Sequence, residues 1–204
     1  ILKHLSMQLR IELEYQVSYS CMSLHPFFRQ ARKINASTMD KVLSTALATV
    51  HLASGDTAFM PGTLATHAFI VTCGELEYRD QDGDASTVTE GWWVCEAALW
   101  TEWFHLGMLA AVSEVTLVAV EQKALQAAFR SDPLAYKLAH DYGSKYVEWL
   151  NQIPCDNLTD VVCLDEVCVC LQNFLVGLEP RNTRSKIARA FSMPISARFS
   201  KIDG

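Results

Sequence analysis

Four of the chain's five tryptophans, Trp92, Trp93, Trp100 and Trp103, fall within twelve residues. Rings at that density serve one of two ends: a platform on which a purine stacks, or filling for a pocket that has become core. The other chemically capable side chains are spread too thinly to act together. Cys163, Cys168 and Cys170 cluster, with Cys155 nearby. Their Cys-Val-Cys spacing lacks the two-residue gap of zinc knuckles and no histidine follows, so they read as small buried hydrophobes on a helix, and no metal ligands are assigned. His4, His25, His51, His67 and His140 show no helical pairing that would hold an ion. Asp82 and Asp84 share a polar turn, and no Gly-rich phosphate loop precedes a helix, so the chain is expected not to be an enzyme.

The elements that must position these residues change period along the chain. Leu9, Leu13, Val17 and Cys21 recur at helical spacing after a Ser6 N-cap, and the helix over the first 24 residues ends at His25-Pro26, with Phe27 and Phe28 as anchors. A second helix is predicted from Ser37 through Leu47, with Asp40 in its first turn. From Thr49 to Val120 the pattern is that of strands, broken by turns at Ser54-Gly55-Asp56, at Pro61-Gly62 and between Asp80 and Asp84, where Asp82-Gly83 is a hairpin signal. Gln122–Phe129 reads as a short helix. Asp132 then caps a longer one with Pro133 at its first position, whose apolar face is Leu134, Leu138, Tyr142, Tyr146 and Leu150, with Gly143 weakening the middle. The fold class is α+β, an antiparallel β roll of jelly-roll type flanked by N-terminal helices and two C-terminal helices, plus a C-terminal extension.

The run Gly55-Asp56 to Gly62, Phe69-Ile70-Val71 and Gly74-Glu75-Leu76, with helices before and after, resembles a cyclic-nucleotide-binding domain. The stretch Leu5-Ser6 through Leu9-Arg10 to Glu12-Leu13, followed by His25-Pro26-Phe27-Phe28, is similar to the end of the C-linker in cyclic-nucleotide-gated, hyperpolarisation-activated and ether-à-go-go type channels. The resemblance divides the chain into a C-linker-like segment (1–36), a cyclic-nucleotide-binding-like domain (37–150) and a helical extension with a basic tail (151–204). In that family a phosphate-binding cassette opens Phe-Gly-Glu and closes on an arginine. A short helix presents N–H groups to the cyclic phosphate, the arginine adds a bidentate contact, and the glutamate holds the ribose hydroxyl. Here the matching run is Val94-Cys95-Glu96-Ala97-Ala98-Leu99, closing on His105-Leu106-Gly107.

The resemblance therefore implies a degenerate ligand site at Glu96, Ala97, Ala98, His105 and Leu106. His105 offers no bidentate fork where the arginine should stand, and Cys95 replaces the glycine that admits a phosphate. Losing a buried charged partner costs about 2–5 kcal/mol, roughly thirty-fold to a few thousand-fold in affinity. No cofactor is expected, and cAMP or cGMP is expected not to bind tightly. In the ether-à-go-go branch a downstream segment occupies the pocket, and the four tryptophans could fill it here.

Composition is compatible with this reading. The 204 residues, 50% apolar and 20% charged, suffice for one sizeable core. Seven cysteines at irregular spacing argue for a reduced compartment. Six basic residues against Asp203 give the segment from Pro180 a charge of about +5, leaving about −11 on the rest of the chain, which disfavours nucleic acid. No apolar run is long enough to span a bilayer, and the start at Ile1 reads as that of a fragment. The expected role is a regulatory and interaction module on the cytoplasmic face of a membrane, part of a voltage- or nucleotide-gated cation channel. Its partners would be other subunits in a homo-oligomer, with a tail that touches acidic lipid. The alternatives are a scaffold subunit docking into a larger assembly and a working cyclic-nucleotide sensor. Val161 to Leu178 is predicted as an amphipathic helix.

Overall fold

The computed structural model describes residues 16 and 18–161. A first helix, α1, is seen over 18–24, and α2 (Pro26–Ile34) and α3 (Ala36–Thr45) follow it. Eight strands make the roll: β1 (Leu47–Leu52), β2 (Thr57–Phe59), β3 (His67–Cys73), β4 (Leu76–Arg79), β5 (Ala85–Val88), β6 (Trp93–Val94), β7 (Met108–Ala111) and β8 (Val115–Glu121). The short α4 (Ala97–Trp100) lies between β6 and β7, and α5 (Gln122–Arg130) and α6 (Pro133–Leu150) close the order. The strands form two antiparallel sheets, β1-β8-β3-β6 and β2-β7-β4-β5.

Two cores sit on opposite faces of the first sheet. Phe59, Val71, Leu76, Tyr78, Leu109 and Leu117 fill the space between the sheets. Phe27, Phe28, Ile70, Trp93, Val118 and Phe129 belong to a second core, shared with the helices. A sheet buried on both faces has no polar side to alternate with. This is why β8 reads Val-Thr-Leu-Val-Ala-Val as a nearly unbroken apolar run.

The predicted turns occur where the sequence places them. Gly55, Gly62, Gly74 and Gly83 all have positive φ, the conformation glycine adopts without a Cβ penalty. Asp80 organises the Asp82-Gly83 hairpin by accepting the N–H groups of Asp82 and Asp84 on one carboxylate oxygen. Gly74 is the tightest position. It carries the chain from β3 in one sheet to β4 in the other, and a Cβ there would collide with the Glu114 carbonyl oxygen and stand 2.9 Å from Val115 Cα.

The helical layer departs from the sequence reading at several positions. Pro26 ends the first helix as expected, but it also starts another, because His25 Nδ1 accepts the Phe27 N–H and proline fits the first position. The next helix begins at Ala36, not Ser37, and is capped by Asn35, which leaves Asp40 beyond its first turn and paired with Arg32 at 2.9 Å. Leu47 belongs to β1. On α6, Leu134 is 68% exposed and Ala135 is buried in its stead. Steps of four residues drift about 40° each around a helix of 3.6 residues per turn, so the five predicted positions cannot share one face. Gly143, read as a weakness, makes room for Trp100, whose ring carbon Cε3 would lie 3.1 Å from a Cβ.

Two caps lock the helices together. Asn35 accepts from Thr38 N at 3.1 Å and donates to Asp132 Oδ2 at 2.9 Å, while Asp132 accepts from Ala135 N at 2.7 Å. The Ala135 N–H holds the Asp132 carboxyl below the ordinary aspartate value, outweighing desolvation, and the Asn35 amide adds to the effect. Among the described residues no helix is long and apolar enough to cross a membrane.

Two outcomes follow from these contacts. Gly74→Ala combines a forced left-handed residue with a backbone clash and is expected to cost about 2–4 kcal/mol in urea unfolding. Asp132→Ala should lower the melting temperature at neutral pH. A depressed carboxyl pKa stabilises above the unfolded value, near 3.9, and that contribution is lost as pH falls through the folded value, so the gap to wild type should narrow below about pH 4.

Candidate functional site

The cassette begins where β6 ends. Cys95 has φ +59°, and among the described residues it is the one non-glycine with positive φ. The backbone there has the shape that suits glycine although the residue is a cysteine, at a cost of about 1–2 kcal/mol. The Cys95 N–H donates at 2.7 Å to the carbonyl oxygen of Asp160.

Asp160 comes from beyond the roll. After α6 the chain makes a 3-10 turn (Cys155–Asn157) and returns, and Val161 forms an antiparallel bridge with Val94 of β6. The Asp160 side chain is fully buried, inside a ring of donors. Oδ2 accepts from Leu106 N at 2.8 Å, Gly107 N at 2.9 Å and Tyr78 Oη at 3.0 Å. Oδ1 accepts from Trp103 Nε1 at 2.7 Å, with Cys95 Sγ and His105 Nδ1 each 3.7 Å away. Burial acts to raise the Asp160 pKa, but the donors from His105, Trp103, Gly107 and Leu106 outweigh it and hold the carboxyl below its ordinary value. Burial, with the nearby Asp160 charge, pushes the Cys95 thiol well up. The Tyr78 hydroxyl is pushed up to about 12, chiefly by burial. The site is thus a buried carboxylate held charged by a ring of donors.

The surroundings fix these donors. A Cβ at Gly107 would collide with the Arg79 carbonyl oxygen and stand 2.6 Å from Tyr78 Cζ, so glycine is what allows the Tyr78 ring and the Gly107 amide to converge. His105 is buried and stacks flat on Phe59, with centroids 3.8 Å apart and planes 9° from parallel. Its carbonyl accepts from Gly62 N and its N–H donates to Thr63 O. Beside it a cleft of about 460 Å³ opens between Phe59, Met60, Leu64, His67 and Phe69.

The five residues implied by the resemblance divide. His105 and Leu106 stand at the site, Leu106 through its backbone N–H. Glu96 is turned away into the helical layer, where Oε1 accepts from Tyr142 Oη at 3.0 Å and from Trp100 Nε1 at 3.1 Å. Its Oε2 lies 3.2 Å from His25 Nε2, off the line of a full hydrogen bond. Both oxygens therefore face protein groups where the resemblance implied a ribose hydroxyl. Ala97 and Ala98 pack on the two sides of α4, one in each core.

The tryptophans do not fill the pocket as a group. Trp93 stacks on Phe28 and Trp100 packs edge-on against Phe27 in the helical layer, Trp92 is part-exposed, and of the four only Trp103 bonds to the carboxylate. Val161, expected to open a helix, is in a β-bridge, and Cys155, expected to be buried on a helix, is exposed in the 3-10 turn. The predictions for residues 162–204, including the rest of that helix, Cys163, Cys168, Cys170 and the basic tail, lie outside the described residues. Asp160, Tyr78 and the bonding role of Trp103 were missed. The available signal was an acid flanked by Leu158, Val161 and Val162.

No protein-family model matches the chain, and no curated protein does. Among solved structures it is similar to the sensor domain of the transcriptional regulator DNR from Pseudomonas aeruginosa, with a TM-score of 0.51 at 17% identity over 71% of this chain and 98% of that one. A likeness with a TM-score of 0.48 and 21% identity, over 69% and 98% of the two chains, extends to the N-terminal domain of a transcriptional regulator from Streptomyces coelicolor A3(2). The likeness to the DNR domain is one of fold. The chain has an α+β architecture, a roll of two antiparallel sheets with flanking helices.

Removing the Asp160 carboxylate strands four donors, two of them buried and two part-buried. Asp160→Ala is expected to cost about 3–5 kcal/mol in urea unfolding, and ending the chain at Leu150 should cost a similar amount. Tyr78→Phe, which removes one neutral donor, should cost about 1 kcal/mol.

Proposed function

We propose that the chain is a regulatory and interaction module whose roll works without nucleotide, as the cytoplasmic part of a voltage- or nucleotide-gated cation channel. The nucleotide-free half of this reading is supported by Asp160. An anion seated where the cassette closes would draw on the Leu106 and Gly107 N–H groups beside the short helix, and here those two amides already donate to a carboxylate of the same chain. A cyclic phosphate has to displace that carboxylate and gains no bidentate arginine in return. The regulatory half agrees with the similar DNR domain being a sensor domain. The channel context rests on the Leu5 to Leu13 segment and the His25-Pro26-Phe27-Phe28 entry.

Calorimetry with cAMP and with cGMP tests the first half, and no saturable heat is expected up to about 100 µM. Low-micromolar binding by the wild-type chain overturns it. Asp160→Ala combined with His105→Arg frees the amides and restores the fork, and should gain affinity for both nucleotides. The channel context is tested by grafting the chain in place of the cytoplasmic domain of a hyperpolarisation-activated channel. Tetrameric currents insensitive to cAMP are expected, and a cAMP-shifted activation voltage counts against the reading.

A further inference from the structure

Three side chains from three separate segments converge at the site: Cys95 from the turn after β6, His105 from the loop before β7, and Asp160 from the extension. Cys95 Sγ is 3.2 Å from His105 Nδ1 and 3.7 Å from Asp160 Oδ1, and His105 Nδ1 is 3.7 Å from Asp160 Oδ1. In a tetrahedral zinc complex with Zn–S of about 2.3 Å and Zn–N and Zn–O of about 2.0–2.2 Å, neighbouring ligand atoms stand about 3.3–3.6 Å apart. The triangle in this structure already has those edges to within a few tenths of an ångström. Cys95, His105 and Asp160 are all buried, and their ligand atoms lie within 4.8 Å of one another.

We propose that Cys95 Sγ, His105 Nδ1 and Asp160 Oδ1 form a binding site for a thiophilic divalent cation, zinc above all, which clamps the extension onto the roll. This goes beyond the nucleotide-independent reading and does not depend on it.

Several features distinguish this cluster from a chance meeting of polar groups. The donor set is a sulfur, an imidazole nitrogen and a carboxylate oxygen, which suits zinc and is wrong for magnesium or calcium. A thiolate and a carboxylate together carry two negative charges, so a divalent ion makes the buried site neutral. Binding is balanced by the Cys95 thiol giving its proton to solvent as the S–Zn bond forms, with the imidazole proton on Nε2.

The outer partners of the ligands are in place as well. Trp103 takes one lone pair of Asp160 Oδ1, and Leu106, Gly107 and Tyr78 hold Oδ2. His105 is oriented by its stack on Phe59. Such second partners fix ligand direction in protein metal sites. Of the three ligands, His105 also lines the neighbouring cleft, whereas Cys95 and Asp160 are closed off from it.

The experiment uses the whole chain, reduced and metal-free, titrated with zinc chloride in a calorimeter. The chain has seven cysteines, so the result is read beside a variant that keeps Cys95 alone, with Cys21, Cys73, Cys155, Cys163, Cys168 and Cys170 replaced by serine. One zinc per chain with a dissociation constant of about 1 µM or below is expected for both proteins. Cobalt(II) added to the Cys95-only variant should give the near-ultraviolet thiolate-to-metal band, which no other residue of that variant can produce. Cys95→Ser and His105→Gln should each weaken zinc binding at least about 100-fold. The proposal is overturned if neither protein binds zinc by about 100 µM, if the Cys95-only variant lacks the cobalt band, or if Cys95→Ser binds as wild type does.

Discussion

A charged carboxylate is expensive to bury, and the Asp160 carboxylate has no solvent exposure in this fold. Removal from water costs several kcal/mol even after relaxation, so the charge survives only where donors converge on it from several directions. Two backbone amides, an indole N–H and a phenol meet that requirement, and each comes from an element whose own packing is fixed by something else. The glycine at 107, the strained turn at Cys95 and the return of the chain after α6 all make sense as conditions for this one interaction. If any of these elements moved by an ångström, the carboxylate would lose part of its shell.

A second buried acid stands back to back with it. Glu96 follows Cys95 directly, yet its side chain leaves by the opposite face and takes hydrogen bonds from Tyr142 and Trp100. His25 contributes its Nε2, because Nδ1 is already committed to the Phe27 N–H that starts α2. The cassette is therefore held from both sides, by helices α2, α4 and α6 through Glu96 and by the two-sheet core through Asp160. Polar networks of this kind fix one arrangement because each member satisfied elsewhere would strand the others.

The sequence carried most of the architecture and half of the site. Turns were legible because positive φ favours glycine, and α6 was legible because Asp132-Pro133 is a local start signal. The α2 helix was missed because its cap is a histidine, which resembles the preferred capping residues only once its ring nitrogen is seen facing Phe27. At the site, His105, Leu106 and Cys95 were found by their position in a known pattern. Asp160 has no such pattern: its role depends on the path of ten residues after Leu150, and tertiary return of a chain leaves no period in the sequence. For the same reason the direction of Glu96 was not legible, since one rotation about Cα–Cβ decides which core it enters.

The short tether also sets how hard the internal carboxylate is to displace. A group linked by a flexible span of about ten residues samples its site at an effective concentration in the millimolar range. An outside anion that bound the empty amides with micromolar affinity would face that competitor at all times, and its apparent affinity would fall by the ratio of the effective concentration to the internal dissociation constant. The bridge from Val161 to Val94 and the bond from Cys95 N to the Asp160 carbonyl raise that ratio further, because they hold the carboxylate by its backbone as well as its charge. The competition is intramolecular and so does not weaken on dilution. An outside anion can reach the Leu106 and Gly107 amides only after the Asp160 carboxylate leaves them, so the path of residues 151–161 decides whether those amides are free.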